Sequence, residues 1–237
     1  MKPTVRIIPA TRRDAPAIAR ICLLAFKTSP RLTVLAPQYV GLSDAELFRT
    51  GLALETSKIR QQINGPNFSM KATVSTTDHQ GKLVEKIVGY ATWFSPDGPR
   101  KRTLWELFLS NVYYRIRNYL KPIPVPEGIP PLVELITEQK EDVFGKGKKW
   151  EGQKYWNLIL MYVDPAWQLQ GVASALLEWG FQKARESNTI IYLESSPMGI
   201  PVYKHKGFQI VTSLPREICG LYVEAPGMMW DPRLNTQ

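Results

Sequence analysis

The segment that decides the fold reads Trp156-Asn-Leu-Ile-Leu-Met-Tyr-Val163, then Asp164-Pro-Ala-Trp, then Gln168-Leu-Gln-Gly171-Val-Ala-Ser174. The first part is a mostly apolar run closed by Asp-Pro, which is typical of a strand that ends in a turn. Residues 173–186 follow with apolar side chains at helical spacing. The sequence therefore predicts a strand, a short loop containing one glycine, and a helix.

The loop between this strand and this helix has the chemistry of an anion-binding turn. The start of a helix presents backbone N–H groups without intrahelical partners, and their dipoles give that end a partial positive charge. A pyrophosphate can bind there without a lysine, and Gly171 places no Cβ in its way. Neither G-x-x-x-x-G-K-[ST] nor G-x-G-x-x-G is present. From the spacing of these residues alone, the loop could equally be a structural turn that binds no ligand.

Further elements are predicted on both sides of this segment. Downstream, we expect a strand at residues 190–194, a short helix opened by Ser196-Pro197, a strand beginning at Gly207, and a closing strand at residues 228–230. This order has the ingredients of a parallel crossover. Upstream, we expect a strand at residues 5–9, a capped amphipathic helix with Ile18, Ile21 and Cys22 on one face, a helix at 44–63, and an antiparallel strand pair at 70–76 and 87–94.

Residues 97–152 differ in amino-acid composition from the rest of the chain. Prolines occur repeatedly in the segment, and residues 104–119, which lie between two groups of prolines, are rich in aromatic residues. The segment is too long for an ordinary connection. We interpret it as an insertion before the fourth strand, with its own helices, packed over one edge of a single domain spanning residues 1–237.

Composition narrows the possible classes of protein. The 237 residues are 44% apolar and carry a formal net charge of +9, which fits one large globular domain or two small ones. No apolar run approaches the roughly 20 residues that span a bilayer, and no secretory signal is expected. Two cysteines and two histidines form neither a disulfide framework nor metal-ligand spacing. We expect a cytoplasmic protein without metal and without a membrane partner.

The positive charge does not indicate a nucleic-acid partner. Basic residues are scattered, and no zinc finger, basic zipper or RNA-binding signature is present. A field of this sign also attracts a small polyanionic ligand such as a nucleotide cofactor. We therefore expect no nucleic-acid partner.

Two motifs in register give the chain a resemblance to a known family. Gln168, Gly171 and Ala173 fill the pattern [QR]-x-x-G-x-[GA], and Tyr203-Lys-His-Lys-Gly207-Phe208 fits Tyr-x-x-x-Gly-Phe. With the first strand and helix, these motifs resemble the GNAT superfamily of acyl-CoA-dependent N-acyltransferases over residues 5–95 and 155–231. The stretch Leu193–Gly199 resembles fungal small-molecule members in particular. The resemblance implies an α/β (α+β) fold whose mixed central sheet, flanked by helices, is splayed between its fourth and fifth strands.

The resemblance also implies roles for particular residues. Acetyl-CoA would be the co-substrate, with its pantetheine arm on the backbone of the fourth strand and its pyrophosphate on the loop. The implied cofactor-binding residues are Met161, Tyr162, Val163, Gln168, Leu169, Gln170, Gly171, Val172, Ala173 and Ser174. Tyr203 would be the general acid that protonates the departing thiolate, and packing of its ring on Phe208 is the alternative interpretation.

The sequence does not single out one residue as the general base that would deprotonate the acceptor amine. Glu194, at the end of the fifth strand, is the candidate we retain, and Glu134 and Glu138 are others. Some relatives place a glutamate on the fourth strand, where this chain reads Trp156-Asn-Leu-Ile-Leu. Aromatic residues are expected either to wall the acceptor pocket or to pack the core: Trp93, Trp105, Tyr113, Tyr114 and Tyr119.

Three functions stay open at this point. The first is acetyl transfer to the primary amine of a small molecule by direct transfer in a ternary complex. The second is the same chemistry on a protein lysine or N-terminus, and the third is acyl-CoA binding without catalysis. Acceptor identity, acyl-chain length and oligomeric state do not follow from the sequence, because fold does not give function.

Overall fold

The protein is an α/β fold built on a mixed seven-stranded sheet. The computed structural model describes residues 4–27, 39–65, 67–77, 80–98, 139–218 and 221–234, and the side chains of 216–218 and 221–223 are not described. The aromatic-rich residues 104–119, which include those at 105, 113, 114 and 119, lie outside these ranges, as do Glu134 and Glu138.

The elements follow the predicted order. The strands are β1 (Val5–Pro9), β2 (Phe68–Thr77), β3 (Leu83–Phe94), β4 (Tyr155–Val163), β5 (Ile190–Glu194), β6 (Gln209–Thr212), β7 (Arg216–Ile218), β8 (Leu221–Val223) and β9 (Gly227–Trp230). The helices are α1 (Ala15–Phe26), α2 (Asp44–Asn64), α3 (Val172–Glu186) and α4 (Ile200–His205), and residues 139–144 form a further helical segment.

The strand order in the large sheet is β1-β2-β3-β4-β5-β9-β6. β4 and β5 are parallel, which confirms the predicted crossover through α3, and the other paired neighbours are antiparallel. The predicted strand at residues 228–230 is present, but it is not at the sheet edge: β9 inserts between β5 and β6. β7 and β8 form a separate hairpin that the sequence did not predict.

β4 and β5 diverge part-way along their length. Their parallel register runs from Tyr155 opposite Ile190 to Leu158 opposite Leu193 and then ends. β4 continues to Val163, and this second half pairs only with β3. The register with β3 shifts at Ile159, so a bulge lies at the point of divergence. The result is a fork with one prong on β4 and the other at Glu194.

The two faces of the sheet bury different elements. On one face, which we call the α3 face, α3 packs Leu176, Leu177 and Phe181 against Trp156 and Leu158 of β4 in a shared apolar cluster. On the other face, the α1–α2 face, α1 packs against Tyr90 of β3 and Tyr162 of β4. The 139–144 segment lies on that same face, over Ile190 and Tyr192 of β5.

The first helix begins as the sequence predicts. Thr11 and Asp14 form a reciprocal capping box, with the Asp14 carboxylate accepting from the Thr11 backbone N–H at 2.7 Å. Ile18, Ile21 and Cys22 of α1 are buried, as the predicted apolar face requires. α2 spans residues 44–64, one residue longer than predicted at its C-terminal end, and Ser43 caps it with the help of Glu46.

Two local expectations differ from the structure. The short helix after β5 begins at Ile200, not at Ser196-Pro197, because Ser196 instead closes a turn in which its carbonyl accepts from Gly199. Trp93 is fully buried on the α3 face, where its ring fills the space beside Gly180. It is therefore a core residue and not a wall of an acceptor pocket.

Candidate active site

The loop before α3 has the geometry of an open anion-binding turn. Leu169 and Gly171 adopt positive φ of 60° and 89°, and Leu169 is fully exposed. The first helical hydrogen bond runs from Ala175 N to Gly171 O at 2.9 Å, so the N–H groups of residues 172–174 precede the first intrahelical donor. A Cβ at Gly171 would meet no atom within 4 Å. The space in front of the helix start is therefore open.

The charge around this helix start suits a polyanion. The first turn of α3 contains no acidic residue, and its basic residues Lys183 and Arg185 lie in the last turn. The partial positive charge of the helix N-terminus is thus not neutralised from within the helix. Gln168, Ala173 and Ser174 are at least partly accessible, whereas Gln170 turns back to donate to the Ala166 carbonyl at 3.1 Å.

A glycine on β3 brings the helix start against the sheet. Gly89 lies opposite Val163 in the β3–β4 register. A Cβ at Gly89 would stand 2.8 Å from the Val172 side chain and 3.1 Å from the Tyr162 carbonyl. The close approach fixes the first turn of α3 beside the end of β4, so the loop and the fork form one continuous region.

The three predicted cofactor-binding residues of β4 lie on the diverging prong. Met161 and Val163 pack partly buried against the cluster on the α3 face, and the Tyr162 side chain is buried on the opposite face. Burial raises the pKa of Tyr162 well above its ordinary value, with Cys22 and Glu55 adding to the effect. Tyr162 can therefore contribute its backbone, but its phenol is a structural group between α1 and β4.

Tyr203 is buried in α4 on the α3 face of the sheet. Its ring contacts Phe208 with centroids 5.5 Å apart in an edge-on arrangement, so the packing contact that the sequence suggested is present. Tyr203 shares an apolar cluster with Val172 of α3 and, at its border, Met161 of β4. The phenol is thus on the same side of the fork as the loop. Packing on Phe208 fixes the ring and does not conflict with a role as a proton donor.

Glu194 occupies the other prong. Alternation along β5 places Leu193 on the α3 face and Tyr192 on the α1–α2 face, and Glu194 follows Tyr192 in phase. Burial raises the pKa of the Tyr192 phenol, and the nearby Glu194 carboxylate raises it further. Glu194 is therefore a partly buried carboxylate beside a phenol, on the face opposite Tyr203.

The sequence missed two polar side chains at the base of the fork. Asn157 of β4 is 5% exposed and aligns with Tyr192 in the parallel register. Its amide nitrogen donates to the Tyr192 carbonyl at 3.1 Å and its oxygen accepts from Lys140 Nζ at 3.0 Å, the orientation that satisfies both atoms. An asparagine inside an apolar strand is the signal that would have identified this position. Lys140 carries no such signal.

A metal site and a membrane-spanning helix are both absent from the described residues. Within the part of the chain that the structure describes, no three His, Cys, Asp or Glu side chains come together as metal ligands would. None of the described helices is long and apolar enough to cross a membrane.

Comparison with known families and structures agrees with this geometry. Residues 134–210 match the family model of the acetyltransferase (GNAT) domain, a span that includes both motifs and begins inside the segment interpreted as an insertion. A comparison with curated protein sequences finds no match. The match thus supports an acetyltransferase (GNAT) domain over residues 134–210, and the mixed sheet with its parallel β4–β5 pair is consistent with the GNAT fold.

The chain is similar to solved structures at low sequence identity. A crystal structure described as histone acetyltransferase HPA2 and related acetyltransferase, from Corynebacterium glutamicum, is 21% identical, with 100% of each chain covered and a TM-score of 0.53. A GNAT superfamily phosphinothricin acetyltransferase from Sinorhizobium meliloti, in complex with AcCoA, is 15% identical over 98% of this chain and 89% of its own, with a TM-score of 0.47. At 21% identity, the first likeness establishes the fold alone.

Proposed function

We propose that the protein is an acetyl-CoA-dependent N-acetyltransferase that moves an acetyl group to the primary amine of a small molecule, by direct transfer in a ternary complex. The observation that carries the proposal is the open helix start at Gly171, which lies beside a strand whose edge is freed by the fork. We further propose that residues 1–237 form one such domain, with 97–152 inserted in it, and that it acts in the cytoplasm.

Two backbone regions of the site would hold acetyl-CoA. Acetyl-CoA supplies a thioester as the acetyl donor. The N–H groups at residues 172–174 would hold its pyrophosphate, and the backbone of Met161, Tyr162 and Val163 would hold the pantetheine arm along the open edge of β4. The fit is good because the helix start is unobstructed and has no acidic residue in its first turn.

Proton transfer would take place on opposite sides of the fork. An alkylammonium must lose a proton before it attacks a thioester carbonyl, and Glu194 would accept that proton directly or through water. When the carbon–sulfur bond breaks, Tyr203 would donate its phenolic proton to the sulfur, giving free CoA thiol. The placement of Tyr203 on the α3 face and of Glu194 on the α1–α2 face supports this division.

Turnover with and without the proposed acid tests the proposal. Purified protein is incubated with acetyl-CoA and a panel of small primary amines, and released thiol is measured. We expect Tyr203→Phe to lower kcat by about 10²- to 10⁴-fold, as for loss of a general acid, while acetyl-CoA affinity is kept. Tyr39→Phe is the matched control, since Tyr39 is buried between α1 and α2 with Leu23 and Leu47.

The same experiment separates the three functions considered from the sequence. Turnover on a histone-derived peptide but on no small amine would favour the protein acetyltransferase. Acetyl-CoA binding without turnover on any acceptor would favour a binding protein. Equal kcat for the wild type and Tyr203→Phe would contradict the acid role of Tyr203.

A further inference from the structure

Lys140 places a positive charge at the base of the fork, apart from the proposed acid Tyr203 and the proposed base Glu194. Lys140 lies in the 139–144 helical segment, on the α1–α2 face, and its Nζ is 3.0 Å from the side-chain oxygen of Asn157. Asn157 directly precedes the last paired residue of β4, Leu158, after which the strands diverge. The ammonium group therefore lies at the base of the fork, on the face opposite α3.

Lys140 is partly buried and has no charged partner in the described part of the chain. No described carboxylate oxygen lies within 4.0 Å of its Nζ, whereas Lys148, in the turns that follow the helical segment, pairs with Asp142 at 2.9 Å. A partly buried charge loses part of its hydration, and a neutral amide compensates that loss less well than an opposite charge does. This ammonium group is therefore suited to bind an anion.

The segment that carries Lys140 is fixed firmly to the sheet. Gln139 is fully buried and donates to the Ala225 carbonyl at 2.8 Å, and Asp142 accepts from the Thr212 hydroxyl at 2.6 Å. Phe144 stacks on Tyr155 with ring centroids 4.2 Å apart. Because both ends of the segment are held, Lys140 is held in place as a binding group should be.

We propose that the acceptor carries an anionic oxygen group, a carboxylate or a phosphate, close to its reacting amine, and that Lys140 binds this group. The acceptor amine then lies toward Glu194 and its anionic group toward Lys140, both on the α1–α2 face. This inference rests on the proposed function and names the substrate class of the same site.

Paired amines that differ in the anionic group test the inference. The carboxylate pair is L-phenylalanine and phenethylamine, and the phosphate pair is phosphoethanolamine and ethanolamine. We expect the wild type to favour the anionic member of one pair, which distinguishes the two sources. Lys140→Met should lower kcat/KM for that member by roughly 10- to 100-fold, the size of a lost charge-assisted hydrogen bond, mainly through KM. The member that lacks the anionic group should change little, and Lys140→Arg should retain the preference.

Lys154→Met is the matched control. It removes the same charge from an exposed side chain, 66% accessible, that pairs with Asp97 at 3.2 Å. It should leave the preference unchanged, and neither Met variant should alter acetyl-CoA affinity. Equal losses for both members of a pair in Lys140→Met would overturn the inference, as would a wild type that favours the members without the anionic group.

Binding of the acceptor can also be measured without turnover. The same four amines are titrated calorimetrically into wild type and Lys140→Met in the presence of CoA. We expect the favoured anionic amine to bind the wild type at least tenfold more tightly than the variant, and no binding of either anionic amine would overturn the inference. A protein that binds no acetyl-CoA, or turns over none of the amines in the panel, would instead contradict the proposed function.

Discussion

Gly171 combines two properties that a phosphate-binding turn needs. Its φ of 89° lies in the left-handed region, which costs other residues about 1–2 kcal/mol. The space where a side chain would stand is open. Alanine there should therefore be tolerated at a modest cost in stability, whereas a long acidic side chain would also place negative charge where a phosphate should lie.

Cys22 provides a prediction about reactivity. Burial, with help from the Glu55 carboxylate 4.0 Å away, raises the pKa of its thiol to about 12. Because the thiolate is the reacting form, roughly one molecule in 10⁴ is reactive at pH 8. In a Cys219→Ser background, we expect alkylation by iodoacetamide to be at least about 10³-fold slower in the native protein than in guanidinium.

The Glu55→Gln variant refines the same measurement. Removing the negative charge should lower the pKa of Cys22 and speed its alkylation, while burial keeps the rate well below that of the unfolded chain. Native alkylation as fast as in guanidinium would show that Cys22 is exposed, contrary to its 7% accessibility.

At the residue scale, the sequence predicts what is local. Gln168, Gly171 and Ala173 lie within six residues of one another, in the loop before α3 and its first turn. Their spacing in the sequence is therefore enough to predict the start of a helix. Lys140 and Asn157 are in contact only because the 139–144 segment folds back over β4. Their positions in the sequence do not predict that contact. Trp93 shows the same limit, because its burial depends on α3, which is distant in sequence.

At the element scale, α3 links the core to the loop. Gly180 faces the Trp93 ring so closely that a Cβ would stand 2.6 Å from Trp93 Cζ2. We expect Gly180→Ala to destabilise the protein by about 1–3 kcal/mol through overpacking, partly offset by about 1 kcal/mol of helix propensity. Urea unfolding measures the net loss.

Gln182→Ala is the control for this helix. Gln182 is exposed and donates only to Glu186 within α3, so its replacement should change the free energy of unfolding by less than about 0.5 kcal/mol. A Gly180→Ala variant as stable as the wild type would mean that the Trp93 ring moves freely, contrary to the packing described above.

The pattern of apolar residues predicts the helices and strands better than it predicts the order of the strands in the sheet. Apolar periodicity correctly places α1 and α3, because each covers the sheet with one face. It cannot place β9 between β5 and β6, since the strand order depends on which edges meet in three dimensions. The Ser196-Pro197 signal was also misleading, because serine caps turns as well as helices.

At the scale of the whole molecule, the net charge of +9 has a kinetic consequence. A positive protein attracts a polyanionic ligand over distances that salt screens. We expect the association rate constant for acetyl-CoA, measured by stopped-flow fluorescence, to fall several-fold between 0.05 M and 0.5 M NaCl. A rate constant independent of salt would show that the charge lies away from the ligand's path.

The central claim is that acetyl-CoA binds with its pyrophosphate at the start of α3. Calorimetric titration with acetyl-CoA and with free CoA tests it most directly, on the wild type, Gly171→Ala and Gly171→Glu. We predict micromolar binding of both ligands to the wild type, weaker binding to the alanine variant, and loss of at least about 100-fold with glutamate, in proteins that remain folded by circular dichroism. Wild-type affinity in Gly171→Glu, or no binding to the folded wild type, would contradict the claim.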